Sequence, residues 1–370
     1  FADQENSDLV AQLILTAKEK LSISDDEFVF TAYYQSETKS GKRYDLNWES
    51  KDETKSSSIN VEIGETGTIY RYRLYDSAKE TGEPKYPART EEEALAAAKS
   101  YFAVIDPEKA GQVFKEEITY SAYDKTYEYR AQRIHNGIAV FGNDVTIQVD
   151  ADSLQLIYYY ISWEEKLIFE DAQLLSFDQA KTAYEEKLGY ELFYQVVSED
   201  YKDTVKLVYR PKFDQTVYID AVTGEAIDFE TIYEAERESA SGGSASKDQV
   251  ANAAATLSPE EQAMVDEIAQ MLSKEKAEQI ARNVPEIGIT DDYTIDSYHI
   301  FKDSHGKYTG RITFSTKNEP EEEYGYRNVS IDVKTGEITA FNGYHYLPAK
   351  AGENEEIPEL SYDESRQIAE

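Results

Sequence analysis

The sequence predicts an α+β protein built from repeated units, each one helix packed across an antiparallel β-sheet. Three observations carry that reading. Strand-like runs alternate apolar and polar residues between tight turns, the pattern of antiparallel hairpins with one wet face. Four segments carry an apolar stripe at helical spacing, and three of them open with a capping box. The order of these elements never asks for a parallel crossover, so a βαβ fold is not expected.

The first helix is expected at Asp8–Leu21, with Val10, Leu13, Ala17 and Leu21 on one face. Strands follow at Glu27–Gln35 and Arg43–Trp48, and a hairpin from Asn60 to Tyr75 turns at Thr66-Gly67. The second helix opens at Thr90 with Glu93 three residues on, and Leu95, Ala98, Phe102 and Ile105 form its stripe before Pro107 stops it. Four strands complete that unit, at Glu117–Tyr123, Tyr127–Ile134, Val145–Val149 and Leu154–Trp163. In the second of these Tyr127 and Tyr129 share a face. Asn136-Gly137 makes a tight turn, because these residue types accept positive φ.

A third helix is capped by Ser176 with Gln179 and stopped by Gly189. Its stripe is Phe177, Ala180, Tyr184 and Leu188, and a hairpin with Thr223-Gly224 at its turn closes the unit. The stretch Glu234–Ala255 is small, polar and aperiodic, as a surface linker is. A fourth helix, Pro259–Ala281, starts at Ser258 with Glu261 and buries Met264, Ile268, Met271 and Leu272. Strands at Tyr293–Phe301 and Lys307–Ser315 and a hairpin turning at Thr335-Gly336 follow, and a fifth helix begins near Ser361.

Asp and Glu number 73 against 38 Lys and Arg, for a formal net charge of −35 over 370 residues. Such a field repels nucleic acid and anionic bilayers, so no nucleic-acid partner is expected. No apolar run reaches the roughly 20 residues of a membrane helix, so no membrane insertion is expected either. The chain has no cysteine, which removes thiolate catalysis and disulfides together. It opens in polar sequence at Phe1-Ala2-Asp3-Gln4, as a mature secreted chain without its signal peptide would.

The search for chemistry returns no catalytic, cofactor-binding or metal site. Four histidines, His135, His299, His305 and His345, share no metal-binding spacing, and no phosphate loop or nucleophile elbow is present. Asp150 and Asp152 bring two hard oxygen donors to one turn, yet the glycine and distal Glu of an EF-hand loop do not follow. Tyrosines at Tyr33-Tyr34, Tyr70, Tyr72 and Tyr158-Tyr159-Tyr160 read either as a platform for sugars or peptides or as cross-strand packing under helices.

Gln132, Gly137, Ile138, Ala139, Val140, Phe141 and Gly142 resemble the Q-x-x-x-G-I-P-V-F-G phrase in propeptides of thermolysin-like metallopeptidases, with Ala139 in place of the proline. The phrase Tyr218-Ile219-Asp220-Ala221-Val222-Thr223-Gly224-Glu225 resembles the PepSY module. The whole order resembles the YcdB/YcdC repeat family of exported Gram-positive proteins. That resemblance implies a PepSY/cystatin-like fold and these divisions: a helix-plus-sheet unit at 1–77, a propeptide-like and PepSY-like pair at 88–232, a linker at 233–257, and a second, truncated repeat at 258–370. It implies a non-catalytic protein, extracellular or at the cell surface, that binds or regulates an exported protein such as a peptidase. The other expectation is a structural envelope repeat that spaces or anchors a further domain. Neither reading names a partner-binding residue.

Overall fold

The computed structural model describes residues 4–38, 41–52, 54, 56–77, 86–169, 172–199, 202–212, 217–228, 256–302, 306–316 and 324–346. Most of the expected linker and the expected fifth helix lie outside them. The chain clusters into two compact units, one made of residues 1–163 with 243–370 and the other of residues 164–242.

In the larger unit α1 (Gln4–Leu21) precedes β1 (Phe28–Thr38), β2 (Gly41–Ser50), β3 (Ser57–Gly64) and β4 (Ile69–Asp76). Helices α2 (Glu91–Ile105) and α3 (Pro107–Ala110) precede β5 (Val113–Ser121), β6 (Thr126–His135), β7 (Ile138–Asp150) and β8 (Leu156–Ser162). The smaller unit holds α4 (Phe177–Lys187) and the strands β9 (Tyr190–Glu199), β10 (Lys202–Pro211), β11 (Val217–Ile219) and β12 (Ala226–Asp228). Back in the larger unit come α5 (Pro259–Ile268), α6 (Lys274–Arg282), a short 3₁₀ turn at Pro285–Ile287, and β13 (Tyr293–Lys302), β14 (Tyr308–Thr316), β15 (Tyr324–Asp332) and β16 (Ile338–Tyr346).

The expectation of repeated units, each a helix on its own sheet, is overturned here. Among the described residues, twelve strands of the larger unit form one antiparallel sheet in the order β16-β15-β14-β13-β1-β2-β3-β4-β8-β7-β6-β5. Three four-stranded meanders are fused at their edges. β1 pairs with β13 from Gln35↔Ile300 to Thr38↔Ser297, and β4 pairs with β8 from Arg71↔Tyr160 to Arg73↔Tyr158. The physical reason is that an isolated meander leaves two rows of unpaired backbone groups, and edge-to-edge pairing satisfies them.

The core crosses these seams. One cross-strand row runs Leu46, Val61, Tyr72, Tyr159, Ile147 and Tyr129, all buried, and passes the β4/β8 seam without a break. The helices form a shared layer rather than separate lids: α1 packs on α5 as well as on α2 and β3, and α2 lies over β5, β6 and β7. Val10, Leu13, Ile14 and Ala17 of α1 are fully buried; Ile14 joins the expected face, and Leu21 at the helix end is only partly buried.

Two helix expectations need correction. The segment Pro259–Ala281 is not one helix but two, because Ser273 caps a fresh start by accepting the N–H of Lys276. The break frees the Leu272 N–H to bond the Val333 carbonyl at 2.8 Å, while Tyr298 donates its hydroxyl to the Leu272 carbonyl at 3.2 Å. In α4 the expected stripe is mostly not buried: Phe177 is 83% exposed, Ala180 and Tyr184 are half-buried, and only Leu188 is buried.

One local device recurs three times. Asp150, Asp220 and Asp332 each accept the N–H groups two and three residues on, closing an Asx turn. Leu154, Gly224 and Gly336, at φ 62°, 71° and 79°, return an N–H to the carbonyl of that aspartate. The residue just before each helix cap, Arg89, Leu175 or Leu272, donates its N–H to a turn carbonyl at 3.1, 2.8 and 2.8 Å. Hairpin turn and helix start are thereby pinned together. The backbone donors hold the carboxyls of Asp220 and Asp332 below their ordinary range.

A buried ion pair ties the two sequence segments of the larger unit. Lys18 Nζ reaches Glu261 Oε2 at 2.7 Å, with side chains 5% and 1% exposed. The three ammonium protons meet Glu261, Asp25 and the Thr256 carbonyl, while Glu261 also accepts from Trp48 Nε1 at 3.1 Å and the Ser258 N–H at 2.8 Å. Burial works against the Lys18 charge, but bonds to Asp25 and Glu261 outweigh it and raise the pKa. Removing one partner strands the other charge. Glu261→Gln or Lys18→Met is therefore expected to cost about 3–5 kcal/mol in urea unfolding, and a double replacement by apolar residues less than the sum. A cost below about 1 kcal/mol for either single change would contradict this.

The core also dictates a pH limit. Burial is the first cause that pushes the phenols of Tyr33, Tyr72, Tyr129 and Tyr159 up. Groups whose folded pKa is raised stabilise the fold below their unfolded value and lose that contribution as pH climbs toward the folded one. Lys18 has the same sign. Urea midpoints are expected to hold to roughly pH 9 and to fall steeply above about pH 10. A flat profile to about pH 11.5 would show that these groups ionise without opening the core.

Candidate functional site

The three described histidines are dispersed over the fold. His135 sits at the end of β6 beside the Asn136-Gly137 turn, His299 lies in β13 and His345 in β16. Burial, then the Arg311 charge, lowers the pKa of His299. His305 lies outside the described residues. Among the described residues no three His, Asp or Glu side chains gather into a metal-binding group. The Asp150 carboxylate is engaged by the N–H groups of its own turn, and Asp152 accepts the Ala88 N–H at 3.0 Å.

The tyrosines divide by face. Tyr33, Tyr72 and Tyr159 are core residues, and Tyr33 joins a buried polar cluster with Gln35, Asn6 and Tyr44. Tyr158 and Tyr160 stand on the opposite, wet face, in line with Arg73 and Arg71 across the seam. That face is laddered with polar partners: Arg71 bonds Glu62 at 2.9 Å, Asn60 bonds Asn47 at 3.0 Å, and Gln148 bonds Glu128 at 2.7 Å. Tyr70 lies under the Arg43 guanidinium, 3.2 Å from its ring centre. These contacts fit cross-strand packing.

A more distinctive surface belongs to the smaller unit. Tyr190, Leu192, Tyr194 and Val196 of β9 stand opposite Pro211, Tyr209, Leu207 and Val205 of β10, so all eight share one face. Every one of them is exposed. Exposure runs from 50% at Tyr190 to 75% at Tyr209 where the values bear on packing. The other face is charged and better covered: Arg210 bonds Glu191 at 2.6 Å and stacks over Phe193 at 4.4 Å. A two-stranded hairpin is marginal alone, and a contiguous apolar face of this size in water marks a contact surface. The sequence reading missed β9 and β10. Their signal was β-branched and aromatic enrichment with a partial alternation, Tyr190, Leu192, Tyr194 and Val196 and then Val205, Leu207 and Tyr209, broken by Phe193 and Val208.

Residues 10–163 match the family model described as the YcdB, YcdC repeated domain. Over that segment, less than half of the chain, the sequence is similar to the YcdB/YcdC repeat family. In this fold the repeated domain corresponds to α1 through β8, two meanders sharing the β4/β8 seam, and it ends where the smaller compact unit begins. The family resemblance is borne out over that stretch; the PepSY and propeptide likenesses are not part of the match. No curated protein matches the chain. A solved structure described as a lipoprotein from Clostridium difficile 630 aligns with 72% of this chain and 99% of its own, at 9% identity and a TM-score of 0.15. A likeness at that level carries no argument about fold or role. No described helix is long and apolar enough to cross a membrane.

Proposed function

We propose that the chain is a non-catalytic, exported binding protein whose β9–β10 face holds another protein. The observation that carries this reading is the eight-residue apolar face, contiguous and exposed in a chain of formal net charge −35. Export is supported by the YcdB/YcdC resemblance. A peptidase is the favoured partner class, because the Gln132–Gly142 phrase and the Tyr218–Glu225 phrase resemble segments that accompany exported peptidases. The structural alternative, a spacer, draws on the continuous sheet, which spans three meanders among the described residues.

The two readings separate in one experiment. A photo-crosslinker at Tyr194 is used to capture partners from secreted and wall fractions, and any peptidase identified is titrated against the chain. The expected result is capture by the native face, loss of capture in Leu192→Asp/Leu207→Asp, and a changed peptidase rate in the presence of the native chain only. Capture that survives the double substitution, or a peptidase rate indifferent to both chains, would favour the spacer.

A further inference from the structure

Among the described residues, the two edge strands of the twelve-stranded sheet are unlike. At one end β5 carries Glu116 and Glu117 in its centre, and its pairing with β6 shifts register between Phe114 and Glu117. Charges and a bulge are the usual devices that stop one sheet from extending into another. At the other end β16 reads Ile-Thr-Ala-Phe-Asn-Gly-Tyr-His-Tyr, nine residues without an acid, a lysine, an arginine or a proline. In a chain with 30% charged residues that neutrality is unusual. Residues 339–345 are all exposed, with Phe341 at 54% and Tyr344 at 56%.

The sheet already shows how its meanders join. First strand meets first strand at β1/β13, and last strand meets last strand at β4/β8, antiparallel in both cases. β16 is the last strand of its meander. By the β4/β8 precedent it takes another last strand, antiparallel. We propose that β16 pairs with β16 of a second copy of this chain about a two-fold axis, extending the sheet across the dimer. A two-fold contact brings the same patch from both partners, which an uncharged strand tolerates and the guarded β5 edge does not. The remainder of each copy is strongly acidic, so like charge opposes the approach until salt screens it. Association is therefore expected to strengthen as salt rises, the reverse of capture of a basic partner.

The test is sedimentation velocity on the full chain from about 1 to about 300 µM at low and high salt. The proposal expects a monomer–dimer equilibrium that shifts toward dimer with concentration and with salt. Phe341→Lys/Asn342→Lys is expected to weaken it about tenfold or more, with the urea midpoint unchanged. Should that variant misfold, single cysteines at Ala340, Phe341 and Asn342 decide the matter in this cysteine-free chain. Directly opposed residues lie within disulfide reach, so at least one should cross-link under oxidation while a cysteine at Thr119 on β5 should not. A monomer at every concentration, as expected if the chain's own later residues or a foreign strand cover β16, would overturn the proposal. So would a dimer indifferent to the lysines, or equal cross-linking at Thr119.

Discussion

Lys18 and Glu261 stand 243 residues apart in the chain and 2.7 Å apart in the fold, and the rest of the larger unit depends on that meeting. A buried carboxylate and ammonium each cost several kcal/mol in lost hydration, so the pair persists only where every donor and acceptor is matched. Here they are matched, by Asp25, Thr256, Trp48 and the start of α5. The same contacts fix where α5 begins and press it on α1. With α5 so placed, Met264 accepts a contact from the Tyr308 hydroxyl, and that hydroxyl lies 3.4 Å from the Tyr33 N–H, across the β1/β13 seam.

That seam changes what the repeats mean. Each meander has the composition of a free-standing unit, and local patterning describes it as one. Joined by four residue pairs at one seam and three at the other, the meanders share a core that no single unit could enclose. The smaller unit repeats the Asx turn and the helix staple at Asp220 and Leu175, but among its described residues β10 and β11 do not pair. It therefore keeps the local chemistry of the repeat without its sheet, and its hairpin face is left in water.

Local features were legible in the sequence where one short stretch decides the geometry. The three capping boxes form as read, and Asn136-Gly137 adopts φ of 47° and 80°. Tyr127, Tyr129, Val145, Ile147 and Val149 face the core, as their alternation requires. The seams were not legible, because Arg71–Arg73 and Tyr158–Tyr160 reveal nothing locally of their pairing, and edge fusion is a long-range choice. The break before Ser273 is held by a local cap and by the Leu272 N–H on the Val333 carbonyl, and that second partner is distant in sequence. Phe177 was assigned to a buried stripe by spacing alone, which counts faces but does not show what covers them.

The account rests on the larger unit being one cooperative body despite its divided sequence. Native-state hydrogen exchange of the amides in β1, β3, β13 and β14 tests this most directly, since it reads the opening free energy of each strand. The account predicts that β1–β4 and β13–β15 exchange through a common opening, and that Glu261→Gln lowers protection in both sets together. Protection lost from β13–β15 alone, with β1–β4 unchanged, would show two independent domains that merely touch and would contradict the single sheet as the unit of stability.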